Sequence, residues 1–192
     1  IFAVGYKGSM VEEYFGDGSR FTAPDQTPIK IQYAYEKELL GTAGAIKNAG
    51  KLVTEDAFYV LNADTFYQID YSRLAQMQAE KDLDLALVLR EVPDISRYGE
   101  ATLDQGMLTG FNEKTSEARP GTINGGIYYM KRELLDEIPE GKVSLENEMI
   151  PKWLGEKRRL GGFVHDGYFI DIGIPEAYYQ FMDDVEKGVI RW

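Results

Sequence analysis

The sequence predicts an α/β fold, a Rossmann-like mixed sheet flanked by helices, and two observations lead to that class. Apolar runs with the spacing of strands alternate with helical segments through the first half of the chain. One of these runs, residues 83–89, is apolar on both faces apart from Asp84. Such a strand is typical of a sheet interior that helices cover on both sides.

The elements of the first half follow one another in a regular order. The predicted strands are short and apolar, and they comprise residues 1–4, 29–35, 58–61 and 83–89. The predicted helices carry apolar residues at helical spacing, and they comprise residues 8–15, 44–52 and 71–80. Strand, turn and helix therefore repeat, as in a layered α/β protein.

The second half changes to short strands joined by tight turns. The predicted strands comprise residues 101–103, 107–111, 123–130, 162–165 and 168–172. The turn Asp104-Gln105-Gly106 has the composition of a hairpin. Predicted helices cover residues 132–137 and 145–154, and a last one begins at about Pro175. Because the sequence contains no repeat, low-complexity tract or linker, we expect a single domain over residues 1–192.

The composition excludes several classes of partner and chemistry. A formal net charge of -11 argues against nucleic acid or an anionic membrane as a partner, because both attract clustered Lys and Arg. No run approaches the ~20 apolar residues of a membrane span. The absence of cysteine excludes disulfides, zinc-thiolate sites and thiol catalysis, and it is typical of a reducing compartment. We therefore expect a cytoplasmic protein.

The first four residues, 1–4, have the composition of a strand that is already under way. They include no initiator Met and follow no basic segment, so they are not a secretory signal. We therefore expect the chain to begin inside a larger domain.

Two aspartates follow apolar runs at places where ligands of open α/β sheets collect. Asp64 lies in the segment 61–65, which directly follows the apolar run 57–60, and Asp171 comes directly after residues 168–170. Two carboxylates that converge at strand ends suit Mg²⁺, which takes a few carboxylates together with phosphate oxygens and water. The structural alternative for each aspartate is that it caps the following turn.

A Gly-rich segment, residues 41–44, precedes the second predicted helix. Its glycines would let the backbone approach a flat or anionic ligand, and the helix would offer unpaired N–H groups at its start. An ordinary strand-to-helix turn explains the same pattern.

Polar side chains in the second half are further candidates. Glu113 and Lys114 follow a strand and could address a hydroxyl and a phosphate, although exposed Glu-Lys pairs are common on surfaces. Asn124 precedes two glycines inside a predicted strand, which indicates either close approach of a ligand or a bulge. Glu146 could contact sugar hydroxyls or, with Ser144, start a helix.

His165 is the only histidine, and no nucleophile-elbow sequence accompanies it. We therefore expect it to be packed or exposed rather than catalytic.

Five segments, in this order along the chain, resemble the sugar-1-phosphate nucleotidylyltransferases. They are residues 40–46 (LGTAGAI), 62–65 (NADT), 111–114 (FNEK), 124–128 (NGGIY) and 169–175 (FIDIGIP). The resemblance covers essentially the whole chain and is closest to the D-glycero-α-D-manno-heptose 1-phosphate guanylyltransferases. Each motif alone is weak, but five in register are specific.

The resemblance implies a nucleotide-diphospho-sugar transferase fold and assigns roles by position. Asp64 and Asp171 match metal-binding aspartates; Gly41, Thr42, Ala43 and Gly44 match the segment near the nucleotide base and ribose; Lys114 matches the lysine that faces the sugar phosphate; and Glu113, Asn124, Gly125 and Glu146 would lie around the sugar. It further implies Mg²⁺ as cofactor, a nucleoside triphosphate and a sugar 1-phosphate as substrates, a homodimer, and a place in nucleotide-sugar synthesis for cell-surface polysaccharide.

The sequence departs from the family pattern in two places. Ala63 stands where the family usually has Gly before the first aspartate, and its methyl group would crowd a nucleotide at that point. The family also begins with a strand and a Gly-rich loop that ends in Arg and is followed by a Lys, which together hold the triphosphate. We expect those residues to lie before Ile1 in a competent enzyme.

The implied reaction transfers a nucleotidyl group, with GTP as the expected donor and a heptose or mannose 1-phosphate as acceptor. A nucleotide-sugar glycosyltransferase is the first alternative, but such enzymes commonly place two aspartates one residue apart, and Asp64-Thr65-Phe66 does not. A non-catalytic module that binds a nucleotide or nucleotide-sugar is the second alternative.

Overall fold

The computed structural model describes residues 1–96, 98–112 and 118–190. The chain forms two compact units, of which the first comprises Ile1–Asp56 with Arg132–Met149 and the second comprises Ala57–Lys131 with Ile150–Trp192. In this described part, no helix combines the length and apolar character that crossing a membrane requires. The expectation of a single domain stays a prediction.

The α/β composition predicted from the sequence is confirmed. The strands are β1 (Phe2–Val4), β2 (Tyr33–Tyr35), β3 (Ala57–Leu61), β4 (Thr65–Tyr67), β5 (Leu85–Val92), β6 (Glu100–Asp104), β7 (Met107–Asn112), β8 (Gly121–Lys131), β9 (Leu160–Val164) and β10 (Phe169–Asp171). The helices are α1 (Gly8–Phe15), α2 (Gly41–Gly50), α3 (Tyr71–Lys81), α4 (Leu134–Glu137), α5 (Ile150–Gly155) and α6 (Pro175–Glu186), and a π-helical turn spans Leu145–Met149.

The first unit is built on a parallel pair of strands. β1 and β2 pair with Phe2 opposite Tyr33, and α2 packs against both strands. Ala43 is fully buried on α2, and Gly50 at the end of this helix lies against the side chain of Leu135 in α4. Small residues on α2 therefore allow close packing.

The second unit contains a six-stranded mixed sheet in the order β3-β8-β5-β9-β7-β6. β5 pairs parallel with β9 and antiparallel with β8, and its residues 85–89 are fully buried. The helix α3 packs against β5. The sequence prediction of an interior strand at residues 83–89 is therefore confirmed, within a sheet whose other pairings are antiparallel.

The hairpin predicted at residues 104–106 is confirmed. β6 and β7 pair antiparallel, with Asp104 opposite Met107. Gln105 and Gly106 have φ angles of 49° and 80°, which is the left-handed pair of a two-residue hairpin turn.

Some predicted elements differ in extent. The strand expected over residues 29–35 is only Tyr33–Tyr35, because the N–H groups of Ile29 and Ile31 donate to carbonyl oxygens of the preceding loop instead of a strand. On α1, Met10 and Tyr14 are exposed, so the expected apolar face is only partly covered. The helix expected over residues 44–52 begins at Gly41 and ends at Gly50.

Candidate active site

The two aspartates predicted to bind metal lie together in the second unit. β4 and β10 pair antiparallel with Asp171 opposite Thr65, and the Ile172 N–H donates to the Asp64 carbonyl oxygen over 2.8 Å. A methyl group placed on Gly173 would lie 3.0 Å from Asp171 Oδ1 and 3.7 Å from Asp64 Oδ2. Both carboxylates therefore border one small space beside Gly173.

The turn-capping alternative applies to only one of these aspartates. Asp171 Oδ1 accepts a hydrogen bond of 2.9 Å from the Gly173 N–H, so Asp171 does shape the following turn. The Asp64 carboxylate accepts no hydrogen bond from the residues that the structure describes. Asp64 is exposed at the turn between β3 and β4, and its side chain is available to a ligand.

The donor set fits Mg²⁺ better than a metal held by protein alone. No group of three or more Asp, Glu, His or Cys side chains within residues 1–96, 98–112 and 118–190 could hold an ion. Mg²⁺ is commonly bound by one or two carboxylates and completed by water and substrate phosphates. Two aspartates at adjacent strand ends fit this type of coordination.

Aromatic packing holds the strands that carry the aspartates. Phe66 of β4 packs against Phe181 of α6, with 5.3 Å between ring centroids, and Tyr67 meets Phe169 edge to face at 5.0 Å. The Tyr168 hydroxyl donates to Asp184 Oδ2 over 2.6 Å. Burial and this hydrogen bond to a carboxylate raise the pKa of Tyr168 to about 12, so it is a donor at neutral pH.

Gly125 and Gly126 in β8 form a bulge, which is the structural alternative considered for residues 124–126. Between Leu87 and Leu89 the register of β5 against β8 shifts, and Gly126 has a φ of 73°. Asn124 stabilises the bulge, because its Oδ1 accepts from the Gly126 N–H over 3.1 Å and its Nδ2 donates to the Tyr128 hydroxyl. A sugar contact by Asn124 stays a prediction.

Gly125 is buried at the same bulge. A methyl group on Gly125 would lie 2.7 Å from ring carbons of Tyr67 and 3.0 Å from the Val88 carbonyl oxygen. Its lack of a side chain is therefore explained by packing of Tyr67. Any contact of Gly125 with sugar stays a prediction as well.

In the Gly-rich segment at the start of α2, two backbone N–H groups that were expected to be free are hydrogen-bonded. The N–H groups of Ala43 and Gly44 donate to the Val143 carbonyl oxygen over 3.0 and 3.3 Å. The expectation of unpaired N–H groups at this helix start is therefore wrong for these two residues, because residues 141–143 cover it. Gly41 has a φ of 68°, and a methyl group there would lie 2.6 Å from the same oxygen.

Glu146 lies on the π-helical turn, next to α2 in the first unit. Thr42 Oγ1 donates to Glu146 Oε2 over 2.8 Å and accepts from the Leu145 N–H over 2.7 Å. Ser144 starts the turn with Glu148, whose Oε1 accepts from the Ser144 N–H over 2.8 Å. Glu146 Oε2 also accepts a longer bond of 3.5 Å from the Ser144 hydroxyl, so Glu146 contacts both Ser144 and Thr42.

The remaining candidates are placed as follows. Glu113 and Lys114 lie outside the described residues. His165 stacks on Phe163 and its Nε2 lies 3.1 Å from the Gln68 carbonyl oxygen, so the histidine is packed.

Sequence reasoning missed the part played by Val143 and Glu148. Val143 caps the start of α2 through its carbonyl oxygen, so the identity of its side chain gives no sequence signal for this role. Glu148 stands four residues after Ser144, whereas a capping box places the acid three residues after the cap. The extra residue of the π-helical turn explains that spacing.

The chain is similar to known proteins over most of its length. Residues 2–188 match the family model described as Nucleotidyl transferase. The chain is 39% identical over 184 residues to a D-glycero-alpha-D-manno-heptose 1-phosphate guanylyltransferase of Campylobacter jejuni, covering 95% of this chain and 76% of that protein. It is 34% identical over 190 residues to the enzyme of the same name from Aneurinibacillus thermoaerophilus, covering 98% and 79%.

A solved structure shows the same fold. HddC from Yersinia pseudotuberculosis, complexed with GMP-PN, is 32% identical, with a TM-score of 0.77 and coverage of 95% of this chain and 76% of that one.

Proposed function

Since the chain belongs to the nucleotidyl transferase family of sugar-1-phosphate nucleotidyltransferases, we propose that it transfers the guanylyl group of GTP to a heptose 1-phosphate or mannose 1-phosphate. The products are the nucleotide sugar and pyrophosphate. The convergence of Asp64 and Asp171 beside Gly173 is the observation that carries the proposal. We further propose that the enzyme is cytoplasmic, that it acts in nucleotide-sugar synthesis for cell-surface polysaccharide, and that it is a homodimer.

The choice of GTP and of the sugar follows the relatives. The proteins from Campylobacter jejuni and Aneurinibacillus thermoaerophilus are named as heptose 1-phosphate guanylyltransferases, and HddC was solved with GMP-PN. Mannose 1-phosphate differs from a heptose 1-phosphate only in groups that a few side chains would contact, so it is the second acceptor to test.

The reaction forms one bond and breaks one bond at phosphorus. An oxygen of the sugar 1-phosphate attacks the α-phosphorus of GTP, and the bond between that phosphorus and the oxygen bridging to the β-phosphate breaks. The electron pair leaves with pyrophosphate. Because the attacking oxygen is already anionic, no general base is required, in agreement with the packed position of the single histidine.

The residues of this chain bind and orient the reactants. Asp64 and Asp171 would hold Mg²⁺, which when bound neutralises phosphate charge and aligns attacking and leaving oxygens. Lys114 would pair with the sugar phosphate as a point charge. The Gly41–Gly44 segment would lie along the base and ribose, and Glu113, Asn124, Gly125 and Glu146 would contact the sugar.

The test is pyrophosphate release by the complete gene product with GTP, Mg²⁺ and each sugar 1-phosphate. Asp64→Asn and Asp171→Asn should each lower kcat by at least about 100-fold, because each removes a carboxylate that neutralises transition-state charge. Asp104→Asn, which changes an exposed aspartate of the β6–β7 hairpin in the same way, should leave the rate unchanged.

Two results would overturn the proposal. Full activity of Asp64→Asn would remove the metal assignment. Release of a nucleoside diphosphate in place of pyrophosphate, with a nucleotide sugar as donor, would favour the glycosyltransferase alternative.

A further inference from the structure

The Thr42 hydroxyl both donates and accepts a hydrogen bond inside the first unit. It donates its one proton to Glu146 Oε2 over 2.8 Å, and it accepts from the Leu145 N–H over 2.7 Å. A hydroxyl has a single proton to donate. Thr42 therefore has no proton to give a nucleotide oxygen unless the bond to Glu146 breaks.

The bond to Glu146 is of the stronger kind. Its acceptor is a carboxylate, and hydrogen bonds to an ionised group are shorter and stronger than bonds between neutral groups. The Leu145 side chain is buried, so the backbone next to Glu146 is anchored as well. The two bonds together fix where the Glu146 carboxylate lies relative to α2.

The turn that carries Glu146 is itself unusual. Residues Leu145–Met149 form a π-helical turn, and such turns are frequent at functional sites. Ser144 Oγ accepts from the Asn147 N–H over 3.1 Å, and Glu148 accepts from the Ser144 N–H. The Ser144 hydroxyl also donates to Glu146 Oε2, over 3.5 Å, so the bond of 2.8 Å from Thr42 is the shorter of the two that this oxygen accepts.

We propose that Thr42 is a positioning residue for the sugar substrate: its hydroxyl orients the Glu146 carboxylate and does not bind the nucleotide. The inference rests on the proposed function, in which Glu146 contacts the sugar. It revises the role that family resemblance gives to Thr42, and it links the Gly41–Gly44 segment to acceptor recognition through one hydrogen bond.

The test compares Michaelis constants in the complete enzyme. Thr42→Val keeps the shape of the side chain but removes the hydroxyl, and it should raise KM for the sugar 1-phosphate about tenfold while KM for GTP changes less than about twofold. Thr42→Ser retains the hydroxyl and should restore both values. Thr22→Val, an exposed threonine of the same unit, is the matched control.

A double-mutant cycle shows whether Thr42 acts through Glu146. Glu146→Ala should raise KM for the sugar 1-phosphate by itself, and adding Thr42→Val to it should cause no further rise. Melting temperatures of all variants accompany the kinetics. If Thr42→Val melts too low to assay, Thr42→Ala, which leaves room for a water in place of the hydroxyl, serves in the same cycle.

The possible results separate the two levels of the inference. A rise in KM for GTP with Thr42→Val, or additive effects in the cycle, would overturn the positioning role while leaving the proposed reaction intact. An unchanged KM for every sugar 1-phosphate with Glu146→Ala would overturn the sugar assignment of Glu146 and the positioning role with it. Loss of GTP turnover in the unmodified enzyme would instead contradict the proposed function.

Discussion

The backbone N–H of Asn62 donates to the Gly126 carbonyl oxygen over 2.8 Å, which ties the turn before Asp64 to the bulge in β8. Gly126 lies at a φ of 73°, and Asn124 holds its N–H. A bulge that is distant along the chain therefore supports the turn that carries a candidate metal ligand. Bulges often redirect a strand near active sites in this way.

Gly126→Ala should disturb that relationship directly. The added methyl group would lie 3.0 Å from Asn62 Nδ2 and 3.2 Å from Asn62 Cβ, at a φ that alanine rarely adopts. Such strain costs on the order of 1–3 kcal/mol, measurable as a lower free energy of unfolding in urea. Because the turn before Asp64 must shift, the Mg²⁺ concentration for half-maximal pyrophosphate release should rise about tenfold, as for residues that support metal ligands.

Gly155→Ala at the end of α5 is the matched control for Gly126→Ala. A methyl group on Gly155 meets no atom within 4 Å, so stability and Mg²⁺ dependence should stay close to the original. A normal Mg²⁺ dependence of Gly126→Ala would show that the bulge does not control Asp64.

The two aspartates should differ in their effect on stability, although the proposed reaction uses both. Asp171→Ala removes the hydrogen bond from the Gly173 N–H and should lower the free energy of unfolding by about 1 kcal/mol, whereas Asp171→Asn retains an acceptor and should be nearly neutral. Asp64→Ala should change stability by less than about 0.5 kcal/mol, since its carboxylate accepts no hydrogen bond from the described residues. Urea unfolding without Mg²⁺ measures these differences. Equal destabilisation by Asp64→Ala and Asp171→Ala would contradict the asymmetry.

The features that sequence predicted well have local causes. Residues 83–89 are apolar on both faces apart from Asp84, which is typical of a strand in the interior of a sheet. Gln105-Gly106 supplies the left-handed pair of a hairpin turn within two residues. Asp64 and Asp171 each follow an apolar strand, and the antiparallel pairing of β4 with β10 brings them to the same edge.

The features that sequence did not predict depend on distant backbone. Val143 covers the start of α2 with a carbonyl oxygen, a group that every residue has, from about 100 residues along the chain. Ile29 and Ile31 alternate as strand residues should, but their N–H groups bond within a loop. In both cases tertiary contacts override the local pattern.

Gly125→Ala should destabilise the core at β8. Its methyl group would lie 2.7 Å from the Tyr67 ring and 3.0 Å from the Val88 carbonyl oxygen, and backbone at that distance has little room to move. Overpacking of this kind costs on the order of 1–3 kcal/mol in the free energy of unfolding. Thermal and urea unfolding measure it. In a Tyr67→Leu variant, where the ring is gone, adding Gly125→Ala should lower the free energy of unfolding by less than it does in the original protein. Equal losses in the two backgrounds would contradict the contact.

The Arg119–Glu100 pair should give the protein a defined response to acid. Arg119 donates two hydrogen bonds of 2.7 Å to the Glu100 carboxylate, and these hydrogen bonds, which outweigh the opposing effect of burial, hold the pKa of Glu100 below its ordinary value of 4.5. A carboxyl whose pKa is lower in the folded state adds stability above its unfolded pKa and loses it as pH falls through the folded value.

Arg119→Met should therefore lower the free energy of unfolding above about pH 5, and its difference from the original protein should shrink as the pH falls through the lowered pKa of Glu100 in the folded state. Urea unfolding at a series of pH values measures this difference. Arg132→Met is the control, because the Arg132 side chain makes no ion pair with the described residues, and it should show no comparable pH-dependent difference. A difference for Arg119→Met that stays constant from neutral to acid pH would mean that Arg119 stabilises by packing and not through the charge of Glu100.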